Sequence, residues 1–175
     1  IAEDGIENLG GGRFLDWPSS SNEAGVEAGY RALLAWSMQD AAKLCRILGD
    51  ESQALKCEDI IRRLNKKVLP HNDLKQAAAL MAIAGTMDVR EACQDNLLVG
   101  GPKGFSTFYG YYMLEAMAMA GNYQGAMDII SEYWGAMLDL GATTFWEDFN
   151  IEWTKNAARI DELVPEGKVD VHRSY

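Results

Sequence analysis

Six consecutive stretches of helical apolar periodicity, each closed by glycine or proline, constrain this chain more than any other feature. The first runs from about Glu27 to Leu48, with Tyr30, Leu33, Leu34, Ser37, Ala41, Leu44 and Leu48 in register, and ends at Gly49-Asp50. The second covers about Glu51 to Val68; its stripe of Leu55, Ile60, Ile61 and Leu64 lies opposite Glu58, Arg62, Arg63, Lys66 and Lys67, and Pro70 stops it. A third spans about Asp73 to Ala84 before Gly85, and a fourth about Val89 to Leu98 before Gly100-Gly101-Pro102. The fifth runs from about Ser106 to Ala120 before Gly121-Asn122, and the sixth from about Tyr123 to Leu140 before Gly141. The expected class is all-α.

Connections and composition alternate along this series. The links after helices one, three and five are tight, whereas those after the fourth and sixth are longer and mix glycine with aromatic residues; the short link at Pro70 departs from the pattern. Ala77 to Ala84 and Phe108 to Ala120 are apolar nearly all round, while the second helix is amphipathic. A helix apolar on every face is enclosed by protein, and an amphipathic one covers an outer surface. Alternating inner and outer helices suit a ring of inner helices wrapped by outer ones, with the long loops gathered at one end. A helical-repeat solenoid is the competing architecture, but no fixed period recurs.

Composition removes some classes of partner. Lys and Arg number 16 against 26 Asp and Glu, for a net charge of -10. Such a surface gains nothing from phosphate backbones or anionic lipid, so neither nucleic acid nor membrane is an expected partner. No apolar run reaches the roughly 18 residues of a membrane-spanning helix. Cys45, Cys57 and Cys93 lack CxxC spacing and fall on helical patterns, so buried thiols are expected. His71 and His172 stand apart from any metal-ligand spacing, and Gly10-Gly11-Gly12 lacks the lysine and hydroxyl of a phosphate loop; no metal or cofactor is expected.

Two clusters carry chemistry. Gly141-Ala142-Thr143-Thr144-Phe145-Trp146-Glu147-Asp148-Phe149 sets carboxylates among aromatic rings just after the sixth helix, and Phe14-Leu15-Asp16-Trp17-Pro18 does the same ahead of the first. Aromatic faces stack on sugar rings, and a carboxylate beside them can activate water, the combination that glycosidases need at an anomeric carbon. Both clusters belong to the long-loop end of the alternating series.

These two clusters, with the Gly-Tyr-Tyr-Met-Leu-Glu-Ala core of the fifth helix and Trp134-Gly135-Ala136-Met137-Leu138, make the chain resemble the catalytic domain of the α-L-rhamnosidases of glycoside hydrolase family 78. The resemblance runs over nearly the whole chain, and Trp134-Gly135-Ala136-Met137-Leu138 leading into Gly141-Ala142-Thr143-Thr144-Phe145-Trp146-Glu147 is its most specific part. It implies an (α/α)6 barrel and inverting hydrolysis of terminal α-L-rhamnosides. It places Glu147 at the general-base position and Trp146 at the sugar site, and makes Asp16 and Trp17 a substrate-binding pair lining the pocket. The family's general-acid segment, with clustered carboxylates, tryptophan and arginine, lies ahead of the equivalent of Phe14. Glu3, Asp4 and Glu7 lack that context. Six or seven helices are about half of such a barrel, so the chain, residues 1–175, is expected to be one partial catalytic domain, inactive alone. Its expected partners are a carbohydrate and the remainder of its own polypeptide.

Each candidate also has a plainer reading. Thr144 and Glu147 have the spacing of a capping box, so Glu147 would start a following helix. Asp16 would cap or pair with Arg13, and Trp17 would be a core ring. Phe105, Phe108, Tyr109, Tyr111 and Tyr112 are expected mostly in the core, with one or two on a cavity; Trp36, Trp134 and Trp153 read as core or interface. Glu115, alone on an apolar helix, is expected buried and paired, because an isolated buried charge is costly. Other inverting glycosidases on the same barrel, of fucosidase, glucosidase or trehalase type, and a non-catalytic helical scaffold or carbohydrate-binding module, are the alternatives in function.

Overall fold

The computed structural model describes residues 12–171. Glu3, Asp4 and Glu7, and His172, lie outside the described residues. Six helices follow one another: α1 (Glu23–Ile47), α2 (Glu51–Leu64), α3 (Lys75–Ile83), α4 (Val89–Glu91), α5 (Gly110–Met119) and α6 (Tyr123–Asp139). Helix α4 passes directly into a π-helical stretch, Ala92–Leu97, and a short 3-10 turn, Ile151–Lys155, follows α6. The described residues hold no strand, only a single parallel bridge between Ala157 and Val169. The chain is all-α.

The stops work through one repeated device. Gly49, Gly85, Gly121 and Gly141 all take positive φ, between 72° and 92°. At each, the glycine N–H bonds three residues back and the next N–H bonds five back: Gly49 to Arg46 and Asp50 to Cys45, Gly85 to Ala82 and Thr86 to Met81, Gly121 to Ala118 and Asn122 to Met117, Gly141 to Leu138 and Ala142 to Met137. This double closure satisfies carbonyls that the helix end would leave open, and only glycine enters the left-handed region without a Cβ clash. Asp50, Asp88 and Asn122 then accept from the N–H groups of the next helix, so each tight link ends one helix and starts another.

The helix starts differ from expectation where side chains are engaged elsewhere. Asn72 and Asp73 have φ of 52° and 57°, so α3 begins only at Lys75. Ser106 turns its hydroxyl to Asp16, and α5 begins at Gly110. The fourth helix is mostly π-helical because the wider turn puts Ala92, Cys93 and Leu97 into the core together.

Odd-numbered helices form an inner layer. Helix α3 packs on both α1 and α5; α2 touches only α1, α4 with its π extension covers α3 and α5, and α6 lies on α5. Every residue from Lys75 to Ala82 is buried. Close approach of α1 to α3 explains two glycines inside α1: a Cβ on Gly29 would stand 2.7 Å from Leu15 Cδ1 and 3.2 Å from Ala77 Cα, and one on Gly25 would stand 2.7 Å from Leu74 Cβ. Arg31, buried in α1, donates through Nε and Nη2 to the Leu64 carbonyl (3.0 and 2.7 Å), placing a cation at the negative end of α2.

Several expectations change. Helix α5 is not enclosed on all sides: Phe108 before it and Tyr111, Glu115 and Met119 along it fall on one exposed face, so Glu115 is a solvated carboxylate rather than a buried one. Cys93 is buried, but Cys45 and Cys57 are half-exposed. Trp36, Trp134 and Trp153 are partly buried against the core, although Trp153 sits in the 3-10 turn.

Candidate active site

The segment after α6 carries the most specific motif, and aromatic packing fixes it. Tyr133 of α6 donates its hydroxyl to the Phe149 carbonyl at 2.6 Å. Its ring meets that of Phe149 at 5.3 Å, and Phe149 in turn meets Trp146 at 5.6 Å and Trp153 at 6.1 Å, all edge to face. Burial pushes the Tyr133 phenol far up, so it remains a donor at any physiological pH. Trp146 and Phe149 are buried, while Thr143, Thr144, Phe145 and Glu147 are exposed.

Glu147 is therefore exposed on an irregular bend. No helix starts there: the next helical turn begins at Ile151 and is capped by Asn150, whose Oδ1 accepts from the Glu152 N–H at 3.0 Å. The capping-box reading of Thr144 and Glu147 fails on that point. Glu147 borders an open hollow of about 520 Å³ lined with Thr107, Phe108, Tyr111, Tyr112, Phe145 and Trp146. Phe108, Tyr111 and Phe145 offer broad exposed faces, at 68%, 64% and 74%. Trp146 is only 1% exposed, so it closes the floor and leaves the other rings to present surface.

The N-terminal cluster reaches the same place. Trp17 is 58% exposed, leans edge-on against Phe14 at 5.1 Å, and donates its indole Nε1–H to Glu147 Oε1 at 3.3 Å. It is a surface ring, not a core one. Leu15 and Asp16, between them, are buried, Leu15 against Gly29, which leaves Phe14 and Trp17 outside with Trp17 on Glu147.

Asp16 lies beneath the hollow. It is 7% exposed, and its Oδ2 accepts from the Ser106 hydroxyl and from Gln76 Nε2 (2.9 Å), while Oδ1 accepts from the Ser19 N–H at 3.0 Å. One carboxylate thus joins the loop bearing Trp17, the start of α3, and the segment whose next residues, Thr107 and Phe108, form the wall. Gln76 also donates to the Gly104 carbonyl at 3.2 Å, and neighbouring Lys75 donates to the Gly101 carbonyl at 2.6 Å with its ammonium 5.1 Å from the Phe105 ring centre. Tyr109, packed inward beside Tyr112, Asp16 and Tyr30, is pushed up to about 12, chiefly by burial.

Of the four residues singled out by sequence, Trp17 and Glu147 touch, Trp146 underlies the hollow, and Asp16 ties the loop bearing Trp17 to Ser106, next to the hollow's Thr107. Ser106, Gln76 and Thr107 went unnoticed. Gln76 had a signal: with Lys75 it opens a helix that is otherwise apolar and is buried from Lys75 to Ala82. Among the described residues no group of histidine, cysteine and carboxylate side chains is arranged to hold a metal ion, and no helix is long and apolar enough to cross a membrane. Comparison with protein-family models, curated proteins and solved structures returns no match.

Proposed function

We propose that this chain forms part of an inverting glycoside hydrolase in which Glu147 activates water. The observation that carries the reading is the placement of Glu147: an exposed carboxylate on the edge of an open, aromatic hollow, held by an indole N–H. A general base must meet both solvent and the sugar, and aromatic faces such as Phe108, Tyr111 and Phe145 suit the apolar face of a pyranose. Trp17 fixes the carboxylate without neutralising it, since an indole can donate but not accept.

Within that class we infer terminal α-L-rhamnosides as the substrate, on the sequence resemblance, and an (α/α)6 barrel as the complete architecture. The inner and outer layers of the three hairpins are compatible with half of such a ring. Inversion requires an acid roughly 6.5–9.5 Å from the base, on the far side of the bond being cleaved. Asp16 is unsuited to that part, because it faces protein donors and not the hollow. The resemblance assigns the acid to the segment ahead of Phe14, in the remainder of the polypeptide.

The test is Glu147→Gln in the full-length protein, assayed on a panel of aryl glycosides that includes the rhamnoside, fucoside and glucoside. Loss of roughly 10²–10⁴ in kcat with an unchanged far-ultraviolet spectrum is expected. Turnover near the parent level excludes Glu147 as the base. Preference for another aryl glycoside keeps the mechanism and replaces the substrate, and inactivity of the parent on every sugar favours a scaffold.

A further inference from the structure

Helices α1 and α2 run antiparallel from the Gly49-Asp50 link, and a pair of ions sets their register. Arg46, near the end of α1, reaches Glu58 of α2 at 2.6 Å and Glu51 at 3.2 Å. One residue back on each helix, Cys45 and Cys57 are half-exposed neighbours across this hairpin, close enough for one thiol to feel the other. Both are reduced and half-exposed, whereas Cys93 is shut in the core beside Asn122 Nδ2 at 3.8 Å. Helix α2 packs against no helix but α1, and its fully buried Ala54 lets the two backbones approach closely. A disulfide needs such proximity, with Cα atoms less than about 7 Å apart.

We propose that Cys45 and Cys57 form a reversible disulfide that staples α1 to α2, made by exchange with a small-molecule disulfide such as oxidised glutathione. One protein thiolate attacks a glutathione sulfur, giving a mixed disulfide and releasing one glutathione thiolate. The second protein thiol loses its proton and attacks the protein sulfur of that mixed disulfide, releasing the other glutathione. Two protein thiols are oxidised and one small disulfide is reduced to two thiols, so electrons and protons balance.

Local electrostatics give the pair a direction. The Cys45 thiol is pushed up from its ordinary 9.0, first by partial burial and then by Cys57 and Asp50. That setting favours the protonated form of Cys45, which suits it to the resolving step. Cys45 serves as the resolving group once Cys57 carries glutathione. The closed bond spans the turn between two helices that already touch, so the staple limits the unfolded chain with little change to the folded one.

The experiment oxidises the protein in glutathione redox buffers on a Cys93→Ser background, followed by thiol counting, intact mass and peptide mapping. Loss of two thiols and two hydrogens, a single cross-linked peptide pair joining 45 to 57, monomers on a non-reducing gel, and a Tm rise of about 5–10 °C that dithiothreitol reverses are expected. Cys45→Ser should instead trap glutathione on Cys57. Stable glutathione adducts at both cysteines without closure, cross-links only between chains, or no reaction at either would overturn the proposal. If Cys93→Ser does not fold, the mapping is done on the parent chain, where a bridge to Cys93 has the same overturning force.

Discussion

The indole nitrogen of Trp17 stands 3.3 Å from Oε1 of Glu147, a contact made across 130 residues of chain. It joins the two segments whose aromatic and acidic composition marks them out in the sequence. Trp17→Phe keeps an aromatic ring against Phe14 but removes the N–H together with part of the ring surface. A single exposed hydrogen bond contributes about 1 kcal/mol. We expect kcat on the cleaved aryl glycoside to fall about 5- to 10-fold with Tm unchanged. In a Glu147→Gln background the same change should cost almost nothing further, because the two groups act as a unit. Equal losses in both backgrounds would show that Trp17 acts independently of Glu147.

Asp16 gives the opposite pattern, a stability effect larger than its surface area suggests. Asp16→Ala strips an acceptor from Ser106, Gln76 and the Ser19 N–H at once. Leaving buried donors unsatisfied predicts destabilisation of about 2–4 kcal/mol, read from the urea midpoint at constant m. Activity at low temperature should fall as well, through displacement of Trp17 and of the Thr107-Phe108 wall. Unchanged stability would mean that these donors find other partners.

Helices α5 and α6 meet where α5 has no side chain. A Cβ on Gly110 would stand 2.6 Å from Trp134 Cη2 and 2.9 Å from Cζ2. Gly110→Ala gains up to about 1 kcal/mol of helix propensity but must displace an indole, which costs about 1–3 kcal/mol. Net destabilisation is expected, and Trp134→Phe in the same chain should relieve much of it. A double-mutant cycle with zero coupling would rule the contact out.

Lys75 predicts a pH dependence with a definite sign. Burial lowers its amine from 10.5 to about 8. Between those values the unfolded chain holds a proton that the folded chain has released, so stability rises with pH. Tyr109, raised from 10.0 to about 12, acts the other way: above about pH 10 the unfolded phenol ionises first and stability falls. The difference in unfolding free energy between parent and Lys75→Met, measured from about pH 7 to about pH 10, should therefore move in favour of the parent as pH rises. A difference that stays flat would refute a depressed Lys75.

Much of the frame was legible in the residues because its punctuation is local. Gly49, Gly85, Gly121 and Gly141 stop helices through their own backbone, and Asp50, Asp88 and Asn122 restart them, with no help from distant contacts. The alternation of buried α3 with amphipathic α2 likewise showed which helices lie inside. What escaped notice depends on partners far along the chain. Periodicity cannot say that Asp16 will meet Gln76 and Ser106, which are 60 and 90 residues away. Nor can it say which face of an apolar helix lacks a neighbour, and so Glu115 was expected inside. Glu147 shows the limit of a short motif: Thr144 and Glu147 had capping spacing, yet the cap went to Asn150.

The four glycine stops have a consequence for the order of assembly. Three of them, Gly49, Gly85 and Gly121, turn a helical hairpin through bonds no more than five residues long, so hairpins can appear on the microsecond scale of local events. The meeting of Trp17 with Glu147 is slow by comparison, because it waits for the first and last hairpins to dock on the one between them. Circular dichroism during refolding would then report full helicity before indole fluorescence registers a finished pocket. The contact between Trp17 and Glu147 is a property of completed assembly, and a chain can be wholly helical without yet possessing it.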